Sequence, residues 1–321
     1  MKAMLKKIGK ENKLVHSQEL LILLTVIGLS IFMSIASSQF LSVNNLINVT
    51  RQISITGIMA VGMTFVILTS GIDLSVGSTM ALTGTIVAGL MANNGLHPVL
   101  AVLGGILLGA IVGSINGILV AYSKIPAIIV TLAMMEIARG AALLYTGGHP
   151  LTGLPDSFAY VGREYVFGWI PIPVIIMLLV YLIAHVVLNH LPMGRYIYAI
   201  GGNEEAVRLS GIKVKRFKVL AYSISGITAS ISAIILTSRL MSGQPNSGVG
   251  FELDAIAAVV LGGTSIAGGR GKIIGTLLGA LLIGILSNGL NLMGVSPFVQ
   301  RVLKGVIIIV AIYYSSSKRI D

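Results

Sequence analysis

The stretch ELDAIAAVVLGGTS, residues 252–265, decides how many times this chain crosses a membrane. It is apolar from Ala255 to Leu261, yet fourteen helical residues rise only about 21 Å, and a hydrocarbon core about 30 Å thick takes roughly 20 residues. The pattern on either side is plainer. Apolar runs stand near 19–38, 53–70, 77–94, 98–122, 126–146, 171–191, 219–242, 273–294 and 299–315. With 252–265 the count is ten; without it, nine.

Charge tests the count, because Lys and Arg in short loops stay on the cytoplasmic side of a membrane. One basic cluster is Lys2, Lys6, Lys7, Lys10 and Lys13. A second, in 192–218, holds Arg195, Arg208, Lys213, Lys215, Arg216 and Lys218 against Glu204 and Glu205. Arg270 with Lys272 and Lys318 with Arg319 complete the set. If all four lie on one side, the crossings between them are even, and six, two and two satisfy this only when 252–265 crosses. Both termini are then cytoplasmic. Arg301 and Lys304 fit the rule poorly, since they fall near the outer end of the last run. Two halves of five crossings have opposite orientation, as in inverted-repeat transporters. Each half carries an apolar run, a Thr-Ser and Gly-rich break and a Gly-spaced helix, Thr69 to Gly84 and Thr264 to Gly279.

Composition agrees. The 321 residues are 55% hydrophobic and 10% charged with mean hydropathy +0.94, against about 25% charged in a soluble domain. We read an all-α polytopic membrane protein with one permease domain, 19–315, between cytoplasmic tails 1–18 and 316–321. The net charge of +11 sits in topology clusters and not along a polar face, so nucleic acid is not expected as a partner. With no cysteine there is no disulfide or thiolate metal site. His16, His97, His149, His185 and His190 lack metal-ligand spacing, and neither metal nor cofactor is expected. Gly271-Lys272 lacks the Ser or Thr and the upstream Gly of a P-loop, so the chain is not expected to bind ATP that way. Nothing resembles a catalytic constellation.

Several polar residues interrupt the apolar runs. Asp73, in GIDLSVG (71–77), is a pathway candidate as an ionisable residue near a span, although with Ser75 and Gly77 it also suits a helix N-terminus. Glu136 and Arg139 are three apart and can pair on one helix face. Asn116, Asn288 and Asn291 can bind cargo hydroxyls or neighbouring helices. Gly105, Gly109, Gly113 and Gly117, like Gly271, Gly275 and Gly279, form ridges for close helix packing. Trp169, Tyr160, Tyr165 and Phe167 lie in 147–170, the longest external segment, as an interfacial aromatic belt does. In GRYIYAIGGNEEAVRLSGIKVKRFK (194–218), Asn203 is placed to cap a short helix with Glu204 and Glu205 in its first turn and Gly211 as its stop. Ala206, Val207 and Leu209 form an apolar edge for a partner or for lipid headgroups.

GRYIYAIGGNEEAVRLSGIKV (194–214), AVGMTFVILTSGIDLSVGS (60–78), FELDAIAAVVLGGTSIAGGRG (251–271) and GTLLGALLIGILSNGLNLMGV (275–295) closely resemble the permease subunits of bacterial ribose-type ABC importers. The likeness spans essentially the whole chain. YTGGHPLTGL (145–154), LTSRLMSGQP (236–245) and LNLMGVSPF (290–298) most resemble the ribose permeases, with xylose, galactose and autoinducer-2 permeases also similar. The resemblance implies the vitamin-B12-type (type II) importer fold, two permease copies, a cytoplasmic ATPase with two nucleotide-binding cassettes, and a periplasmic or lipid-anchored sugar-binding protein. It makes 203–211 the helix that docks into the ATPase, with Gly202, Asn203, Glu204, Ala206, Arg208, Ser210 and Gly211 transmitting force. Glu136 departs from it, standing where the ribose permeases carry an apolar residue ahead of a shared Arg-Gly pair. Branched-chain amino acid and nucleoside permeases are the nearest other class. An ion-coupled carrier would need an unpaired mid-membrane carboxylate.

Overall fold

The computed structural model describes the backbone of residues 2–123 and 125–317, and the side chains of 19–123, 125–307, 309 and 310. Lys318 and Arg319, and the side chains of the N-terminal lysines, lie outside the described residues. In chain order the elements are α1 (Lys2–Ala36), α2 (Val43–Leu68), α3 (Val76–Ala92), α4 (Pro98–Tyr122), α5 (Ala127–Thr146), α6 (Ala159–Arg163), β1 (Tyr165–Val166), β2 (Ile170–Pro171), α7 (Ile172–His190), α8 (Pro192–Gly202), α9 (Glu204–Leu209), α10 (Val214–Leu240), α11 (Phe251–Leu261), α12 (Ile273–Leu292) and α13 (Pro297–Ser317). Seven helices are long and apolar enough to cross a membrane: Glu19–Ala36 of α1, then α2, α4, α5, α7, α10 and α12. The chain is a polytopic membrane protein.

The helices sort by what they touch. The apolar window of α2 is 89% buried, whereas that of α1 is 17% and those of α4, α5 and α7 are 28% each. α2 is therefore central, and the outer helices turn Leu, Ile and Val outward, as helices solvated by lipid do. Glycine makes the close packing possible. Side chains on Gly109 and Gly113 would collide with Gly226 and Tyr222 of α10, and on Gly275 and Gly279 with Gly262 and Ala258 beside α11. Both ridges are thus spent within one chain.

The stretch 252–265 does not form a full-length helix. α11 has 11 residues, about 16 Å of rise, and Gly262 and Gly263 end it with Gly263 at φ 87°. Ahead of it the chain is irregular from Ser242 to Gly250, with Gly248 and Gly250 at φ 75° and 87°. That irregular stretch starts where Gly243 pairs with Leu151 in the loop after α5, and Gly248 packs on Gly77 at the start of α3. α11 then runs on to the ends of α2 and α12. Where one full-length helix was the expectation, the chain has an irregular stretch followed by a half-length helix.

One face of the bundle gathers the ends of several helices. Gly269 N–H donates to Leu68 O at 3.0 Å, Ser70 Oγ to Ala267 O at 2.8 Å and Tyr198 Oη to Gly271 O at 2.9 Å. Lys272 pairs with Glu19 at 3.0 Å. The breaks after α2 and α11, the elbow between α8 and α9, and the start of the apolar part of α1 therefore share a face. On the opposite face lie α6 and the β1–β2 hairpin, with Phe167 (84% exposed) and Trp169 (69%) at its tip.

Gly113→Leu is expected to lower stability by about 1–3 kcal/mol through overpacking against α10. Gly28→Leu, where a side chain would meet open space, is expected to leave it unchanged. Thermal unfolding in detergent, read by fluorescence, compares the two.

Candidate functional site

The elbow α8–α9 is the most polar feature of the helix-end face. Pro192 opens α8, and α9 begins at Glu204 with Asn203 capping it: Asn203 Oδ1 accepts the Ala206 N–H at 3.0 Å. Gly211 at φ 79° turns the chain away after α9, a conformation that costs other residues more. The predicted short helix stands where 203–211 placed it, but α8 was not anticipated. Its Tyr and Gly residues blur the apolar period.

Only one part of the predicted apolar edge of α9 is buried. Val207 packs with Ile200 and Val214, while Ala206 is exposed and Leu209 is 74% exposed. Arg208 donates to both carboxylate oxygens of Glu205, and this bond holds the Glu205 carboxyl below the ordinary carboxylate range. The pair is wholly exposed, so it orders the helix surface more than it stabilises the fold. Glu204 instead reaches Lys218 on α10 at 2.6 Å, tying α9 to a long central helix. Gly201 and Gly202 lie against Gly268 and Gly269 with no room for side chains on Gly201. A displaced α9 would therefore move against α10 and against the break that precedes α12.

Beneath this face lies a polar anchor. Asp73 is buried; its Oδ1 accepts from the Ser75 N–H at 3.0 Å and the Ser75 hydroxyl at 2.6 Å, and its Oδ2 from the Ser225 hydroxyl at 2.7 Å. Asn116 Nδ2 donates to Ser75 Oγ at 2.9 Å. Asp73 and Asn116 thus meet through Ser75, joining the break before α3 to α4 and α10. Ser75 holds the N-cap position of α3 but makes no side-chain cap; its hydroxyl donates to Asp73 and accepts from Asn116. The other two asparagines are elsewhere. Asn288 exchanges amide bonds with Asn45 of α2 at 2.8 and 3.0 Å, and Asn291, exposed, accepts from Gln300 of α13 at 2.8 Å.

The expected Glu136–Arg139 pair does not form. Arg139 Nη1 donates to Pro245 O at 2.6 Å and Ser247 O at 2.8 Å, satisfying carbonyls of the irregular stretch, while Glu136 is left exposed. Spacing allowed the pair, but uncovered carbonyls in apolar surroundings claimed the guanidinium first. Three contacts escaped the sequence reading: the Ser70 and Tyr198 bonds of the helix-end face, and the Lys304–Asp254 pair at 2.8 Å between α13 and α11. Lys304 is one of the two residues, with Arg301, that fit the charge rule poorly. An acidic partner in a half-length helix is the signal that would have placed it.

The chain matches the family described as branched-chain amino acid transport system / permease component over residues 45–312. It is 48% identical to the ribose import permease protein RbsC of Escherichia coli K12, over 95% of each chain. It is 49% identical to that of Bacillus subtilis 168, over 97% of this chain and 98% of the relative. The xylose transport system permease protein XylH of Escherichia coli K12 is 34% identical, over 96% and 94%. No solved structure matches the chain.

Asn203→Ala removes the α9 cap, an expected loss of about 1 kcal/mol, read as faster hydrogen exchange at the Ala206 amide. Ser225→Ala takes one donor from buried Asp73 and is expected to lower global stability by about 1–3 kcal/mol, visible in the thermal midpoint.

Proposed function

Because the chain belongs to the branched-chain amino acid transport system / permease component family, we propose that it is the membrane-spanning permease subunit of an ATP-driven sugar importer whose cargo is ribose. The observation that carries this is 48–49% identity to ribose import permeases along nearly the full length of both chains. An identity of this extent covers the elbow, the breaks and the polar anchor together.

In the proposed assembly two copies enclose the pathway in the bacterial cytoplasmic membrane. A cytoplasmic ATPase with two nucleotide-binding cassettes supplies the energy, and a periplasmic or lipid-anchored protein delivers the sugar. The helix-end face is cytoplasmic, with both termini, and the chain crosses ten times in two inverted halves of the type II importer fold, α3, α11 and α13 completing the set. The shared crossing at 242–261 supports the parity of the basic clusters, because it carries the chain between faces without a full-length helix.

α9 is the coupling helix. Gly202, Asn203, Glu204, Ala206, Arg208, Ser210 and Gly211 shape and hold it, and exposed Leu209 is its apolar contact for the ATPase. When the cassettes close on ATP, α9 passes the displacement to α10 through Glu204–Lys218 and to the α11–α12 break through Gly201–Gly269. Among the pathway candidates, Asp73, Asn116 and Asn288 pin helices, and Asn291 stands at the outer mouth. The permease needs no catalytic residue and no cofactor of its own.

Leu209→Asp or Arg208→Ala is expected to abolish ATP-driven ribose uptake by the reconstituted complex while leaving membrane insertion and the thermal midpoint intact. Uptake unchanged in both variants would overturn the coupling role of α9.

A further inference from the structure

The cations of the helix-end face are unevenly paired. Glu205 pairs with Arg208 and Glu204 with Lys218, which uses both acids of 192–218. Arg195, Lys213, Lys215 and Arg216 are exposed, and among the described residues none of them reaches a carboxylate. Lys215 lies over the Tyr122 ring, 4.5 Å from its centroid. Lys213 and Arg216 instead line a pocket of about 280 Å³ between α8 and the start of α10, together with Tyr196, Gly211, Ile212 and Phe217. Its two rings pack on each other, with the centroids of Tyr196 and Phe217 4.9 Å apart. Two unpaired cations that share one concave site repel each other, and a bound anion removes that cost.

The kind of anion follows from depth. α10 is long and apolar enough to cross a membrane, and Lys213 stands at its N-cap. Leu220, one turn beyond Arg216 on the same face of α10, is 43% exposed. From Lys213 to Leu220 the chain rises about 10 Å, so it passes from cation to exposed aliphatic over roughly the depth of a headgroup layer. Aromatic side chains such as Tyr196 are favoured at that same level. We infer that the pocket holds the phosphate of an anionic phospholipid, with Lys213 and Arg216 on the phosphate oxygens and an acyl chain running down over Leu220. Arg offers phosphate a planar pair of donors and Lys a point charge, and basic pockets at a membrane face bind such headgroups. An acidic protein surface matches the charge but does not follow α10 into hydrocarbon, and free phosphate makes no use of Leu220. The inference rests on α10 spanning the membrane and not on what the chain carries. A headgroup held here fixes the root of the α8–α9 elbow at the membrane plane.

The test titrates the purified full-length chain in neutral detergent with dioctanoyl phosphatidylglycerol, dioctanoyl phosphatidylcholine and inorganic phosphate, counting bound molecules by native mass spectrometry. Phosphatidylglycerol is expected to be retained, and phosphatidylcholine and phosphate are not. Arg216→Gln is expected to weaken phosphatidylglycerol binding about 5-fold, and Lys213→Gln combined with it at least about 10-fold. Arg270→Gln, which takes the same charge from an exposed position on the same face, is expected to leave binding unchanged. Arg216→Lys keeps the charge and is expected to retain the lipid, and equal thermal midpoints without lipid show that the variants are folded. Equal retention of phosphatidylcholine, or phosphatidylglycerol binding indifferent to Arg216→Gln, would overturn the site. Phosphate bound as tightly as the lipid would make it a free-anion site and overturn the lipid as its occupant. Capture of the ATPase by the double variant in lipid-free detergent is measured beside these: its loss, with phosphatidylglycerol binding unchanged, would give the pocket to the ATPase and overturn the inference.

Discussion

Hydrocarbon offers no water to a peptide group, and the rest of this structure depends on that constraint. The chain leaves helical geometry after α2, before α11 and after α11, and each departure is covered. Leu68 O is taken by the Gly269 N–H, Ala267 O by Ser70 and Gly271 O by Tyr198. Pro245 O and Ser247 O are taken by Arg139, and Gly243 exchanges both bonds with Leu151. The breaks after α2 and α11 bond to one another and to α8, whereas the stretch before α11 bonds to α5 and to the loop after it.

Glycine and hydroxyl residues supply the rest of the cohesion. Lipid gives no hydrophobic drive for helices to associate, so packing distance and interhelical hydrogen bonds decide. Where α10 crosses α4 and α3, Gly109 and Gly113 bring backbones together and hydroxyl pairs bridge them: Thr83–Ser230 at 3.0 Å and Ser114–Ser223 at 2.8 Å. Thr64–Thr276 at 2.9 Å does the same for α2 and α12. Each bond of this kind contributes about 0.6 kcal/mol on average, so the assembly is held by many small terms that tolerate sliding.

Much of this was readable in advance. Long apolar runs fall in the lipid-facing helices α1, α4, α5 and α7 because hydropathy reports their solvent directly. The capped helix at 203–211 was legible because Asn203, the two glutamates and Gly211 act locally, within one turn of the backbone they satisfy. Contacts set by three-dimensional competition were not. Glu136 and Arg139 have the right spacing to pair, but the carbonyls of Pro245 and Ser247, more than a hundred residues away, decided where the guanidinium points. The length of α11 was ambiguous for a related reason: 252–261 is apolar enough to continue as helix, and the glycines at 248, 250, 262 and 263 end it at both sides. Parity of charge asked for a crossing there but could not say that the residues ahead of α11 are not helical.

The central claim is that the chain moves sugar only with energy taken from a separate ATPase. The most direct measurement is uptake of radiolabelled ribose into proteoliposomes holding the permease with its ATPase and binding protein, beside proteoliposomes holding the permease alone under a proton gradient. The expected result is uptake in the complete system that requires ATP hydrolysis, and none by the permease alone. Accumulation of ribose by the permease alone, driven by the gradient in the absence of ATP, would contradict it.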